Sequence, residues 1–259
     1  YDASVGHFDS VAIDIIVTVG MVIGSLPFLL YLMVLQGKPS NLFHDSQVQL
    51  FLTLLGTIIL LVAGWLWLEN GEEPWQALRL AAFNVASILT GTGYVTAGFD
   101  KWGSFAIPIF FFIMFVGGCA GSTTCGIKIF RFQILYAAAR MQFYNLAQPH
   151  GVYIPYYNRR PIPDEVISSV MSFFFIFFAT YIGLAIILGL LGLDFLTSVS
   201  AAASAISNVG PGLGPVVGPE GNYANLPTTA KWVLSMGMLL GRLELFTVMV
   251  LFTRSFWRA

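Results

Sequence analysis

Charge is what this chain has least of: 10% of its 259 residues are charged, and the formal net charge is −1. Without a basic run there is no electrostatic footprint for nucleic acid, which is excluded as a partner. Two cysteines and three histidines leave little with which to build a disulfide framework or a metal site. Cys119 and Cys125 lie on either side of Gly121-Ser122-Thr123-Thr124 with no His or acidic neighbour, and read as small residues at a packing contact. His7, His44 and His150 fall on different loops. No Walker loop, Gly-x-Ser-x-Gly or zinc-protease helix occurs, so neither an enzyme nor a covalent cofactor is expected. A basic n-region is also lacking, since Asp2, Asp9 and Asp14 occupy the opening residues; no secretory signal is read there.

Apolar residues are abundant instead, at 57% of the chain. That composition indicates an all-α polytopic membrane protein. Five spans are drawn at about 11–35, 47–69, 104–145 (interrupted), 165–192 and 229–253. Lys38, Lys128, Arg131, Arg140, Arg159, Arg160, Arg254 and Arg258 fall on one side of this arrangement. Arg79, Lys101 and Lys231 fall on the other, with Glu69, Glu72, Glu73, Asp100 and Glu220. Lys/Arg enrichment marks the first side as cytoplasmic.

Between the spans lie two helix-like stretches too short to cross, Pro74 to Leu89 and Phe195 to Ser207. Each runs into a glycine turn: Thr90-Gly91-Thr92-Gly93-Tyr94 and Asn208-Val209-Gly210-Pro211-Gly212. Non-helical backbone at membrane depth is tolerated only where it is buried in protein or lines water. Glycines let consecutive carbonyls turn toward one axis, and such carbonyls replace the hydration shell of a cation. The preceding helices direct their partially negative C-terminal ends at the turns, which favours a cation over an anion. Pro74 after Glu72 and Glu73 suits one helix start. Asp194, or Thr197 and Ser198, suits the other. The filter candidates are therefore Thr90, Gly91, Thr92, Gly93 and Tyr94 with Asn208, Val209, Gly210 and Pro211.

Span, short helix, turn and span recur, once over about 47–145 and again over about 164–253. Gly6-His7-Phe8-Asp9-Ser10 also resembles Gly98-Phe99-Asp100-Lys101, so residues 1–35 are expected to be the last span of an earlier repeat. The expected organisation is 1–46 for that span and a linker, 47–145 for a third repeat and 146–259 for a fourth. The third span is broken by Gly117-Gly118-Cys119-Ala120-Gly121-Ser122-Thr123-Thr124-Cys125-Gly126, which will not hold a straight helix in lipid. A loop there, directly after a filter, is placed to obstruct a pore; a tightly packed kink is the alternative. Arg242, in Gly241-Arg242-Leu243-Glu244, falls mid-span, where a charge needs a water path or a partner.

At these residues the chain resembles the Trk/Ktr/HKT superfamily of potassium transporters, in its TrkH branch. The resemblance rests on Thr90 to Tyr94, Gly118 to Thr124, Ile127-Lys128, Ser207 to Gly214 and Met238 to Phe246. It implies a potassium-channel-like fold of membrane helix–pore loop–membrane helix units, four to a subunit, in the bacterial inner membrane. It further implies potassium as substrate, held at Thr92, Gly93, Asn208, Val209 and Gly210. It makes 118–127 an intramembrane gating loop, with Gly118, Gly121, Ser122, Thr123, Thr124, Gly126 and Lys128 in it and Arg242 facing the pore. A homodimer in lipid is implied, with a cytosolic regulatory subunit of the TrkA type that alone brings a nucleotide. The first repeat and the second repeat's filter are missing relative to that pattern. A cation-coupled secondary transporter for a small solute is a second reading, but it calls for acidic residues within the membrane at the breaks. A non-transporting membrane subunit or fragment is a third.

Overall fold

The structure, a computed structural model, describes residues 4–158, 160–243, 250 and 257. It is built of helices joined by short turns, with one two-stranded hairpin at Tyr156–Tyr157 and Arg160–Pro161. The helices are α1 (Val11–Gly24), α2 (Phe28–Leu35), α3 (Ser40–His44), α4 (Ser46–Leu68) and α5 (Pro74–Leu89). They continue as α6 (Ala106–Ile113), α7 (Ile129–Ala147), α8 (Asp164–Leu190), α9 (Phe195–Ser207) and α10 (Thr228–Arg242).

Among the described residues two helices, α4 and α8, are long and apolar enough to cross a bilayer alone. The stretch 11–35, expected as one span, is not one straight helix: α1 and α2 are apolar enough together but meet at 96° across Ser25-Leu26-Pro27. Pro27 has no N–H for the helix ladder, and long-range partners take over the neighbouring groups. The Ser25 carbonyl accepts from Cys119 N (3.0 Å), and Phe28 N donates to the Gly121 carbonyl (3.0 Å).

The short helices α5 and α9 have the bounds the sequence suggests. Pro74 stands at the first turn of α5 with Glu73 as its cap residue. Asp194 caps α9 by accepting from Thr197 N at 3.0 Å, settling which residue starts that helix. At 16 and 13 residues they reach roughly 24 and 20 Å, short of the ~30 Å hydrocarbon core. Both are buried all round at their C-terminal halves, where Ala, Ser and Asn keep neighbouring backbones close. Each is wedged between a helix before it and a helix after it: α5 between α4 and α6, α9 between α8 and α10.

A 3-10 turn precedes the following helix three times over, at Ser4–Phe8 before α1, Phe99–Lys101 before α6 and Tyr223–Asn225 before α10. The first of these packs on the first glycine turn, with Gly6 N donating to the Val95 carbonyl at 3.1 Å.

Candidate functional site

Gly93 and Gly210 meet backbone to backbone. A Cβ built on Gly93 falls 2.0 Å from the Val209 carbonyl oxygen and 3.1 Å from Pro211 Cδ; one built on Gly210 falls 3.7 Å from Gly93 Cα. Gly91, Gly93 and Gly210 hold φ of +68°, +75° and +117°, open to glycine at little cost. Asn208 also takes a left-handed φ of +54° as the cap of α9, and its side-chain amide donates to the Met238 carbonyl at 3.0 Å. Val209 is buried beneath it.

Each turn is held by the helix it terminates. Thr92 N and Gly93 N both donate to the Ser87 carbonyl, at 2.9 and 3.3 Å, and Thr90 and Thr92 share a hydroxyl hydrogen bond of 2.8 Å. Val209 N donates to the Ser204 carbonyl and Gly210 N to Ser204 Oγ, both at 3.0 Å. Tyr94 is exposed. With Thr90 and Thr92 it lines a cavity of about 280 Å3 that reaches α1 and ends at Thr123 of the broken segment. One space thus runs from the glycine turn to the loop.

That loop occupies 114–128 between α6 and α7, with its ends zipped by a parallel bridge between Val116 and Ile127. Inside, Gly118 N donates to Thr124 Oγ1 (3.0 Å), Ser122 Oγ to the Cys119 carbonyl (2.6 Å), and Ser122 and Thr124 share a hydroxyl bond (2.8 Å). A side chain at Gly118 would strike Thr124 Oγ1 and the Ser25 carbonyl at under 3 Å. Gly121 and Gly126 turn with φ of +76° and +71°. Thr123 reaches the Gly24 carbonyl through N (3.3 Å) and Oγ1 (3.0 Å), and Ala120 N donates to Gln47 Oε1 at 2.8 Å. Two cations grip the loop from below: Lys128 Nζ donates to the Thr124 carbonyl, and Arg242 donates to the Thr123 carbonyl (3.3 Å) and Cys125 Sγ.

Arg242 therefore reaches the loop from the last described turn of α10; the remainder of the expected span 229–253 lies largely outside the described residues. Glu244, the structural partner considered for it, lies outside the described residues, as do Arg159, Arg254 and Arg258. Gly241 brings this end of α10 onto α9: a Cβ there would fall 1.8 Å from the Ile206 carbonyl oxygen. Cys119 and Cys125 are both free thiols, and among the described residues no group of His, Cys, Asp or Glu is arranged to hold a metal.

Sequence reasoning missed three ties. Asp14 is buried in α1 and accepts from Arg79 Nε of α5 at 2.7 Å, with Asp9 on the same guanidinium at 3.2 Å. Asn84, buried in α5, donates to Thr96 Oγ1 at 2.8 Å and holds the strand leaving the first turn. Lys101 pairs with Glu220, joining the outer loops that follow the two turns. An Asn within the run Leu80 to Val85, which is otherwise apolar, was the signal for Asn84; the ion pairs join residues far apart in sequence and leave no local signature.

Helices that stop halfway through the membrane, glycine turns set against one another at their C-termini and a broken span beneath define a pore-loop membrane protein of the potassium-channel-like kind. The chain belongs to the TrkH family of cation transport proteins, whose model matches residues 1–258. It is 48% identical over 238 residues to the Trk system potassium uptake protein TrkI of Halomonas elongata, covering 92% of this chain and 48% of that protein. The Trk system potassium uptake protein TrkH of Vibrio parahaemolyticus is 34% identical over 266 residues, covering the whole chain and 54% of that protein. The crystal structure of the Vibrio parahaemolyticus potassium transporter TrkH superposes with a TM-score of 0.93 at 32% identity, over 99% of this chain and 55% of that one. The chain spans about half the length of the relatives it matches.

Proposed function

We propose that this chain forms the third and fourth pore-loop repeats of a potassium-uptake subunit in the bacterial inner membrane. The observation that carries this is the backbone contact of Gly93 with Val209 and Gly210 at the ends of two half-length helices. Two repeats meeting on their glycines leave carbonyls, rather than side chains, to replace a cation's water. Potassium is the substrate, with Thr92, Gly93, Asn208, Val209 and Gly210 as its binding residues and Thr90, Gly91, Tyr94 and Pro211 shaping the turns. The relatives' names as potassium uptake proteins support the choice of ion.

The loop 118–127 is the gate. Its hydroxyl and carbonyl network is closed on itself at Gly118, Ser122 and Thr124 and clamped by Lys128 and Arg242, so a closed state needs no further partner. Gly121 and Gly126 supply its turns. Arg242 adds a positive charge under the filter, a barrier that a low local dielectric enlarges. The repeats take the bounds 47–145 and 146–259, with 1–46 closing the second repeat. The assembly is a homodimer in lipid, and a nucleotide enters only through a TrkA-type cytosolic subunit docked on the basic face 128–160.

The test uses this chain joined to the segment that corresponds to the first half of its relatives, in a bacterium deficient in potassium uptake. Growth at low potassium is expected. Gly93→Ser and Gly210→Ser should each weaken potassium-over-sodium discrimination, since a Cβ and hydroxyl re-aim the carbonyls. Unchanged selectivity in both, with normal expression, would refute the filter assignment.

A further inference from the structure

The two glycine turns are not held alike. In the first, the Gly93 N–H is satisfied by a backbone carbonyl, that of Ser87. In the second, both sides of Gly210 are held by side chains: Ser204 Oγ accepts from its N–H at 3.0 Å, and the Tyr223 hydroxyl donates to its carbonyl oxygen at 2.8 Å. Tyr223 comes from the far side of the outer loop, thirteen positions on. Among the described residues no side chain donates to Gly93 in this way.

We infer that Tyr223 is a positioning residue of the filter, fixing the direction of the Gly210 carbonyl and thereby the discrimination between potassium and smaller cations. This rests on the reading of the glycine turns as a filter. The Gly210 carbonyl swings with rotation about Gly210's own ψ, which glycine opposes little, while Pro211 fixes φ on the far side of the same peptide. A smaller ion gains most from such rotation, since oxygens that swing inward shorten their distances to it. A hydroxyl bond from outside the ion path holds one lone pair and resists the swing, so the ring keeps the size that suits the larger ion.

The tyrosine is itself held firmly enough to do this. The 3-10 turn Tyr223–Asn225 is capped by Asn222, whose side chain accepts from Ala224 N at 2.9 Å. Lys231 of α10 donates to the Ala224 carbonyl at 2.7 Å, and Leu226 is buried beneath the turn. The ring is half-buried against the filter, with Ser204 within hydrogen-bonding reach of the same hydroxyl. Ser204 thus stands at the centre of a short network of hydroxyl, amide and carbonyl that holds Gly210 from both sides.

Tyr223→Phe removes the hydroxyl and keeps the ring. In the joined protein, rubidium uptake is measured against competing sodium, with thermal stability taken on the same preparation. One hydrogen bond's net contribution corresponds to about a two- to tenfold change in an equilibrium. Sodium is therefore expected to compete about two- to tenfold better in the variant, with the maximum rubidium rate and melting temperature little changed. Gly210→Ser is run alongside. If Gly210→Ser alters sodium competition and Tyr223→Phe does not, the positioning role is overturned and the filter stands. If neither alters it, the filter reading fails and the inference falls with it. A lower melting temperature in Tyr223→Phe with unaltered competition makes the tyrosine a structural tie only, which also overturns the inference.

Discussion

Gly91 and Gly93 stand two residues apart with similar positive φ, yet their surroundings differ. A Cβ on Gly91 meets nothing closer than 3.8 Å, whereas one on Gly93 collides with the Val209 carbonyl at 2.0 Å. Gly91→Ala therefore carries only the left-handed backbone cost, about 1–2 kcal/mol, and should still take up rubidium. Gly93→Ala must push two repeats apart and should take up rubidium well below the Gly91→Ala level, with sodium competing better, while the protein remains in the membrane. Uptake assays with immunoblots on both variants check the contrast. The sequence alone offers both glycines as the filter residue; only the contact across 116 positions separates them. Arg242 makes a second test. If its charge is the barrier under the filter, Arg242→Ala raises rubidium flux at every concentration with the melting temperature maintained. A fall in melting temperature without a gain in flux would show that its bonds to Thr123 and Cys125 are structural.

At the level of elements, α5 and α9 were legible because their ends carry strong local chemistry: Pro74 behind two glutamates, and Asp194 three residues before the N–H it caps. The crease between α1 and α2 was not. Pro27 hints at a break, but its 96° angle is set by bonds to residues nearly a hundred positions away. The tie between Asp14 and Arg79 hid for the same reason, being 65 positions apart. Both groups are largely buried, at 5% and 13% side-chain exposure. Asp14→Asn leaves the guanidinium with only the exposed Asp9 as a charged partner. It is expected to destabilise α1 against α5 by roughly 3–5 kcal/mol, the cost of breaking a buried pair, read as a lowered melting temperature. The loop allows a third element-scale test. Deleting Gly121–Thr123 removes the bonds to Gly24, Phe28 and Arg242, so flux in reconstituted vesicles should rise if the segment blocks the path. Flux at the unmodified level in a folded variant would make it a packing kink.

For the whole molecule, composition and repeat gave the class, and the match to the TrkH family agrees with it. What no pattern in the sequence foretold is how the two pore-loop units are fastened. Lys101 and Glu220 join them at the outer mouth, Gly93 and Val209 at the middle, and Phe115 packs on Phe177 and Tyr181 below. Fastened at three depths, the pair behaves mechanically as a stiff frame. Such a frame transmits load without changing shape, whereas the segment 118–126, inside the buried anchors Phe115 and Ile127, is tied to α1, α2, α4 and α10 by single hydrogen bonds. The weaker attachment is therefore confined to that segment. If that loop gates the path and the glycine turns form the filter, work done on the helix ends is spent on a short stroke of the loop and not on widening the filter, so throughput and ion choice can be adjusted independently of each other.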